Sequence, residues 1–219
     1  RFACWSGHVF HDIGVFQAIE EGADVINLST GTDVQFPEEP DAYFSESVPY
    51  AYDYARLKAV PIVTAAGNYA DNTVLELDKF HPAAISVGAL DQRGQLAEYS
   101  SGFARERQAS FFAYGDVRDP ETRELMTMFD GSPAQGTSFA SPRVAAAVAE
   151  VKLKPINSFY DINENGQWDI AEVEFYIRVN INRPEYEQIK LKDSLNVVEE
   201  YFASQGVILG EIQQFSEPT

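Results

Sequence analysis

Three short apolar segments constrain the fold of this chain more than any other feature of its sequence. They occupy residues 23–29, 60–66 and 84–90, and each contains valine and isoleucine without strict alternation of apolar and polar residues. Strands that are buried on both faces of a parallel sheet have this pattern. The three segments therefore predict parallel strands in the interior of a sheet.

Helical patterns lie between and after the predicted strands. In the first of them, Ile13, Phe16 and Ile19 recur at helical spacing, and Gly22 supplies a stop signal. Further helices are predicted at residues 50–58, 138–151, 170–179 and 194–203. Strands that alternate with helices favour an α/β fold, in which a doubly wound, mostly parallel sheet carries helices on both faces.

The charge of the chain excludes two classes of partner. Asp and Glu number 34 against 16 Lys and Arg, which gives a formal net charge of -18 at pH 7. Such a surface repels nucleic acid and anionic membranes, and no apolar run is long enough to span a bilayer.

The only cysteine is Cys4, so an intrachain disulfide is impossible, and the redox compartment stays open.

A run of seven residues, Gly-Thr-Ser-Phe-Ala-Ser-Pro at 136–142, opens the predicted helix near Ser138. Free backbone N–H groups at a helix N-terminus face outward, and the helix dipole favours negative charge there. Pro142 is expected in the first turn, where its missing N–H is harmless. Taken alone, Gly-Thr-Ser is also compatible with an ordinary cap on a core helix.

The seven residues resemble the nucleophile motif of subtilisin-like serine peptidases, except that Arg143 stands where relatives often carry histidine. Five further segments are similar to this family and follow its order along the chain: residues 24–31, 63–68, 81–89, 99–102 and 195–197. The resemblance covers about residues 6 to 204. It implies a partial subtilisin-like peptidase domain at residues 1–204, without the N-terminal part of the fold, followed by a tail at residues 205–219.

The resemblance implies that this domain hydrolyses peptide bonds by acyl transfer through Ser138. The side chain of Asn68 and the backbone N–H of Ser138 would then donate to the oxyanion of the tetrahedral intermediate. The alternative for Asn68 is a turn-forming residue after a strand. Acyl transfer also requires a polypeptide substrate, and a peptide-like inhibitor would occupy the same site.

The resemblance also implies a substrate-binding surface. Two walls of the primary specificity pocket would be formed by Ser29, Thr30 and Gly31 and by Ala65, Ala66 and Gly67. Backbone along these walls can pair with an extended substrate as an added strand. Ser6, Gly7 and His8 are expected on the substrate-binding edge.

The other two members of a catalytic triad do not match any position in this chain. The family order is Asp, His, Ser, which puts both earlier members before residue 1. The three histidines, His8, His11 and His81, have no catalytic position in the resemblance. Because serine is a weak nucleophile without a base, we expect the chain alone to be almost inactive. We expect an N-terminal fragment of the same domain to supply both residues. The alternative is a catalytically inactive peptide-binding or scaffold module.

The family resemblance implies a secreted or periplasmic location.

Residues 161–172 match the twelve-position calcium loop and would form an insertion in the domain. The expected oxygen ligands are Asp161, Asn163, Asn165, the backbone carbonyl of Gln167, Asp169 and Glu172. Gly166 occupies the position of the sharp turn. The alternative is an acidic surface loop in which Asp169 caps the following helix. A bound Ca²⁺ ion would be structural and remote from catalysis.

Overall fold

The computed structural model describes residues 11–29, 47–70, 81–101 and 109–191 of the 219-residue chain. The strands are β1 (Ile26–Leu28), β2 (Ile62–Ala65), β3 (Ala84–Leu90), β4 (Phe111–Tyr114) and β5 (Ile189–Lys190). The helices are α1 (His11–Glu20), α2 (Ser47–Leu57), α3 (Thr137–Lys152) and α4 (Ile170–Asn180), with a short 3-10 helix at Pro184–Tyr186.

The strands form a sheet in the order β1-β2-β3-β4-β5. β1 to β4 are parallel, and β5 pairs antiparallel with β4. All of β2 and all but the first residue of β3 are buried, so both faces of the sheet centre are covered. The prediction of a mostly parallel α/β sheet is confirmed. The sequence pattern does not predict β5, because a two-residue strand has no detectable periodicity.

Helix α3 lies against the sheet and forms the centre of the core. Its buried residues follow helical spacing and include Ala140, Val144, Val148 and Val151. They contact β1 to β4, and α3 also packs against α4. Alanine and valine are small, so this close packing fixes the first turn of α3 relative to the strands.

The predicted helix boundaries are correct to within a few residues. α1 ends at Glu20, and Gly22 then adopts a φ of 82°, which confirms the stop signal. α2 begins at Ser47 instead of residue 50, and its first turn includes Pro49. The helix predicted at residues 194–203 lies outside the described residues. None of the described helices is long and apolar enough to cross a membrane.

Candidate active site

Ser138 lies where the carboxyl ends of two neighbouring strands meet the beginning of α3. Ser29 follows β1, Asn68 follows β2, and Ser138 is the second residue of α3. Parallel strands present their carboxyl ends at the same edge of a sheet, and ligand sites of open α/β sheets lie at this edge. The fold therefore brings three predicted site residues together from distant parts of the chain.

The hydroxyl of Ser138 is held by a reciprocal pair of hydrogen bonds with Ser29. Ser138 Oγ donates to the backbone carbonyl of Ser29 at 3.0 Å, and Ser29 Oγ donates to the backbone carbonyl of Ser138 at 2.9 Å. Both side chains are half-buried. A carbonyl oxygen holds the hydroxyl proton but is not a base, so this arrangement fixes the position of Ser138 without activating it.

The amide of Asn68 has a defined orientation. Its Oδ1 accepts hydrogen bonds from the backbone N–H of Thr137 at 2.8 Å and from Thr137 Oγ1 at 3.0 Å. Thr137 Oγ1 in turn accepts from the backbone N–H of Gly67 at 3.1 Å. Because Oδ1 must face these donors, Nδ2 is left as a donor, and it makes no hydrogen bond within the described part of the chain. Asn68 is exposed, and its Nδ2 lies beside the turn that precedes Ser138.

This turn depends on Gly136. Gly136 has φ 154° and ψ 161°, a region that only glycine adopts readily. Its N–H donates to the carbonyl of Gly115, and its own carbonyl accepts from the N–H of Phe139, both at 3.0 Å. A Cβ atom at this position would lie 3.2 Å from Asn68 Nδ2. The position thus requires glycine for its backbone conformation and for its close approach to Asn68.

We expect Gly136→Ala to destabilise the protein by about 1–3 kcal/mol, the cost of holding a non-glycine residue in this region. We also expect turnover of the complete enzyme to fall roughly ten- to a hundred-fold, because the new methyl group displaces Asn68. Urea unfolding and kcat measure the two effects. Gly131→Ala is the matched control, since Gly131 has φ 83° and no atoms close to its Cβ direction. Equal kcat values for the two variants would contradict the displacement of Asn68.

Tyr99 and Gly115 pack closely against each other beside this turn. A Cβ atom on Gly115 would lie 2.4 Å from the hydroxyl of Tyr99, so the two residues are in close contact. Burial and the neighbouring carboxylate of Asp116 raise the pKa of Tyr99 well above its usual value. Asp116 is itself paired with Arg118 at 3.1 Å. Tyr99 therefore stays protonated at neutral pH.

Pro142 lies in the second turn of α3, not in the first turn as expected, because the helix begins at Thr137. In a regular α-helix, the backbone N–H of residue 142 would donate to the carbonyl of Ser138. Proline has no such donor. The hydroxyl of Ser29 donates to this carbonyl in its place.

The predicted specificity walls are partly described. Ala65 and Ala66 are buried at the carboxyl end of β2, and Gly67 follows them with a φ of 113°. The carbonyl of Gly67 accepts from the N–H of Ser101 at 3.0 Å, which ties this wall to the next loop. Their role in substrate binding stays a prediction. The remaining predicted wall and edge residues lie outside the described residues: Thr30, Gly31, Ser6, Gly7 and His8.

His81 is the only histidine whose side chain is described, and it lies far from Ser138. It precedes β3, at the edge of the sheet opposite the carboxyl ends of the strands. Its Nδ1 accepts from the N–H of Ala83 at 3.2 Å, and its Nε2 lies 3.3 Å from a carboxylate oxygen of Asp53. These contacts give His81 a structural role at the start of the strand.

The loop at residues 161–172 has the turn geometry expected from its sequence. Asp161 accepts hydrogen bonds from the backbone N–H groups of Asn165 and Gly166, both at 3.0 Å, and Gly166 has a φ of 72°. The backbone N–H of Gln167 donates to Asn165 Oδ1 at 2.7 Å, and Asn163 Nδ2 donates to Asp169 Oδ2 at 2.9 Å. The predicted ligand residues therefore share one compact loop.

Glu172 is engaged by the backbone of the same loop. It is 1% exposed, and its Oε1 and Oε2 accept from the N–H groups of Ile162 at 2.7 Å and Asp169 at 3.0 Å. Asp169 caps α4 by accepting from the N–H of Glu172 at 2.8 Å. The described residues contain no group of three acidic, histidine or cysteine side chains close enough to hold a metal ion. The oxygen donors suit Ca²⁺ by type, but all three carboxylates, those of Asp161, Asp169 and Glu172, accept hydrogen bonds from N–H groups, so calcium binding stays a prediction.

Residues 11–161 match the family model described as the Subtilase family. The chain belongs to this family. The match includes the residues after β1 and β2 and the whole of α3, so the resemblance drawn from the motifs is confirmed.

Curated serine proteases are similar to about two thirds of this chain. The thermophilic serine proteinase of Bacillus sp. (strain AK1) is 32% identical over 137 residues, which are 62% of this chain and 29% of that protein. The major intracellular serine protease of Bacillus subtilis (strain 168) is 28% identical over 152 residues, which are 67% of this chain and 42% of that protein. The chain thus spans less than half the length of either relative. The second relative is intracellular by name, so a secreted or periplasmic location stays a prediction.

Solved structures agree with the fold. The crystal structure of a cold-adapted subtilisin-like serine proteinase aligns with a TM-score of 0.56 at 18% identity, over 84% of this chain and 58% of that chain. The crystal structure of a lanthipeptide protease aligns with a TM-score of 0.56 at 22% identity, over 80% and 59%. At these identities, the alignments support the α/β architecture alone.

Proposed function

We propose that this chain carries the nucleophile and the oxyanion donors of a serine endopeptidase. Ser138 Oγ attacks the carbonyl carbon of a peptide bond, and the hydroxyl proton passes to a histidine that is oriented by an aspartate. The oxyanion accepts hydrogen bonds from Asn68 Nδ2 and from the backbone N–H of Ser138. The orientation of the Asn68 amide carries this proposal, because its bonds to Thr137 leave Nδ2 as a donor beside the nucleophile.

The histidine and aspartate are proposed to come from a preceding segment of the same peptidase domain or from a bound N-terminal fragment. The position of His81 at the opposite edge of the sheet supports this view, as does the resting bond of Ser138 Oγ to a carbonyl. Among the described residues, no base lies beside Ser138 to take up its proton. A polypeptide substrate or a peptide-like inhibitor would then lie across the carboxyl edge of the sheet.

A fluorophosphonate probe tests the proposal, because it labels only serines activated by a base. We expect labelling of Ser138, located by peptide mass spectrometry, in the complete protein, and almost none in residues 1–219 alone. Ser132, which is bonded to Asp130 on an exposed turn, serves as an internal unlabelled serine. Unlabelled Ser138 in the complete protein would favour an inactive peptide-binding module.

We further propose that residues 161–172 bind Ca²⁺ through their side-chain oxygens, with Asp161 and Glu172 exchanging backbone N–H partners for the ion. At a hundredfold excess over Kd, the ligand adds about 2.7 kcal/mol of stability. The melting temperature of the complete protein should therefore rise by roughly 5–10 °C relative to a chelator. Asp161→Asn should reduce this shift, whereas Glu164→Gln, an exposed residue of the same loop outside the ligand set, should keep it. Equal melting temperatures with calcium and with chelator would refute the site.

A further inference from the structure

Helix α3, which carries Ser138, lacks one of its regular backbone hydrogen bonds. Pro142 cannot donate to the carbonyl of Ser138, so the peptide unit after the nucleophile has no regular helical partner at that position. Ser29 lies on another loop, 109 residues earlier in the chain, and its hydroxyl donates to this carbonyl at 2.9 Å. One side chain thus replaces the bond that the proline removes.

The hydroxyl of Ser29 is itself oriented by two further side chains. Asn27 Nδ2 donates to Ser29 Oγ at 2.8 Å, and Ser141 Oγ donates to Asn27 Oδ1 at 2.7 Å. Ser141 is fully buried, one turn after Ser138 on the same helix. Because Ser29 Oγ accepts from Asn27, its own proton is directed to the carbonyl of Ser138.

We infer that Asn27, Ser29 and Ser141 are positioning residues that set the location of Ser138 Oγ. The three side chains connect the end of β1 to α3 at Ser138 and, one turn later, at Ser141. None of the three side chains makes a hydrogen bond to Ser138 Oγ, and Ser29 Oγ contacts the backbone carbonyl of Ser138, so they act through that backbone. This inference rests on the proposed role of Ser138 as nucleophile and names residues that the triad and the oxyanion donors do not include.

A double-mutant cycle between Ser29 and Pro142 tests the inference in the complete protein. Ser29→Ala removes the donor and leaves the carbonyl of Ser138 unpaired, a loss that corresponds to about a tenfold lower kcat. The predicted wall residues pair with substrate through their backbone, which Ser29→Ala keeps, so KM should stay within about twofold of the wild-type value. Pro142→Ala restores a helical N–H donor to the same carbonyl. In the Ser29→Ala background it should therefore recover most of the lost kcat.

Ser132→Ala is the control for the loss of a serine hydroxyl, and it should leave kcat unchanged. A Ser29→Ala variant with wild-type kcat, or one that Pro142→Ala fails to rescue, would overturn the inference. Urea unfolding of the wild type, the two single variants at Ser29 and Pro142, and the double variant measures the coupling of the two residues independently of enzymatic activity. If wild-type Ser138 does not react with the probe, the proposed function fails. If Ser138 reacts but the kcat cycle shows no coupling, the positioning role fails.

Discussion

We expect replacement of Ser138 by alanine to lower kcat of the complete protein by about a million-fold, the magnitude measured in subtilisin itself rather than one calculated for this chain. The reason is chemical, because alanine has no hydroxyl to form the acyl-enzyme. The remaining catalysis comes from substrate binding and the oxyanion donors alone, which still exceeds the reaction in water. Hydrolysis of a peptide substrate under saturating conditions gives the ratio of the kcat values.

The structure shows why this loss will not be caused by unfolding. Ser138 is half-buried, and its hydroxyl makes one hydrogen bond, to the carbonyl of Ser29. Removing such a bond costs about 1 kcal/mol of stability. The reverse bond, from Ser29 Oγ to the carbonyl of residue 138, does not need the serine side chain. A Ser138→Ala protein that melts normally and keeps more than one-hundredth of wild-type kcat would exclude Ser138 as the nucleophile.

The fold was predictable because its strongest signal is local. Each central strand is a short apolar run, and the residues that make it apolar are the ones that the structure buries, as with β2 and β3. The helix after Ser138 was predictable for the same reason, since Val144, Val148 and Val151 repeat at helical spacing. β5 was not predictable, because its pairing with β4 comes from the tertiary fold.

The candidate site was predictable only at the positions that carry a motif. Ser138 and Asn68 each belong to a run of several residues, and the structure brings the two runs together. The contribution of Ser29 Oγ depends on a contact between residues 109 positions apart in the chain, which no local pattern contains. One signal for it was present in the sequence. A proline four residues after a helical serine means that the serine carbonyl needs a donor from elsewhere.

The acidic loop illustrates the opposite case, in which one motif fits two structures. Glu172 occupies the last position of a calcium loop, and it is also the third residue of a helix that Asp169 caps. A capping box and a bidentate ligand use the same carboxylate with the same spacing. The sequence alone therefore leaves both roles open, and only the competition between the ion and the backbone N–H groups decides between them.

Asn68→Ala should lower kcat about a hundred- to a thousand-fold with little change in KM, because the side-chain donor acts on charge that develops in the transition state. Alanine also removes Oδ1, which accepts two hydrogen bonds from Thr137. Part of any loss could therefore come from a displaced nucleophile turn. A single alanine variant does not separate the two effects.

Asn68→Asp separates them. Aspartate keeps an oxygen in the position of Oδ1, so it should preserve the bonds to Thr137 and the stability of the turn, whereas alanine should cost about 1–2 kcal/mol. It replaces the Nδ2 donor by an oxygen that carries charge, which repels the oxyanion. We therefore expect Asn68→Asp to melt close to the wild-type protein and yet lose at least as much kcat as Asn68→Ala. If aspartate retains kcat within tenfold, Asn68 acts through Thr137 and not as a donor, because the amide nitrogen is the only hydrogen-bond donor that this substitution removes.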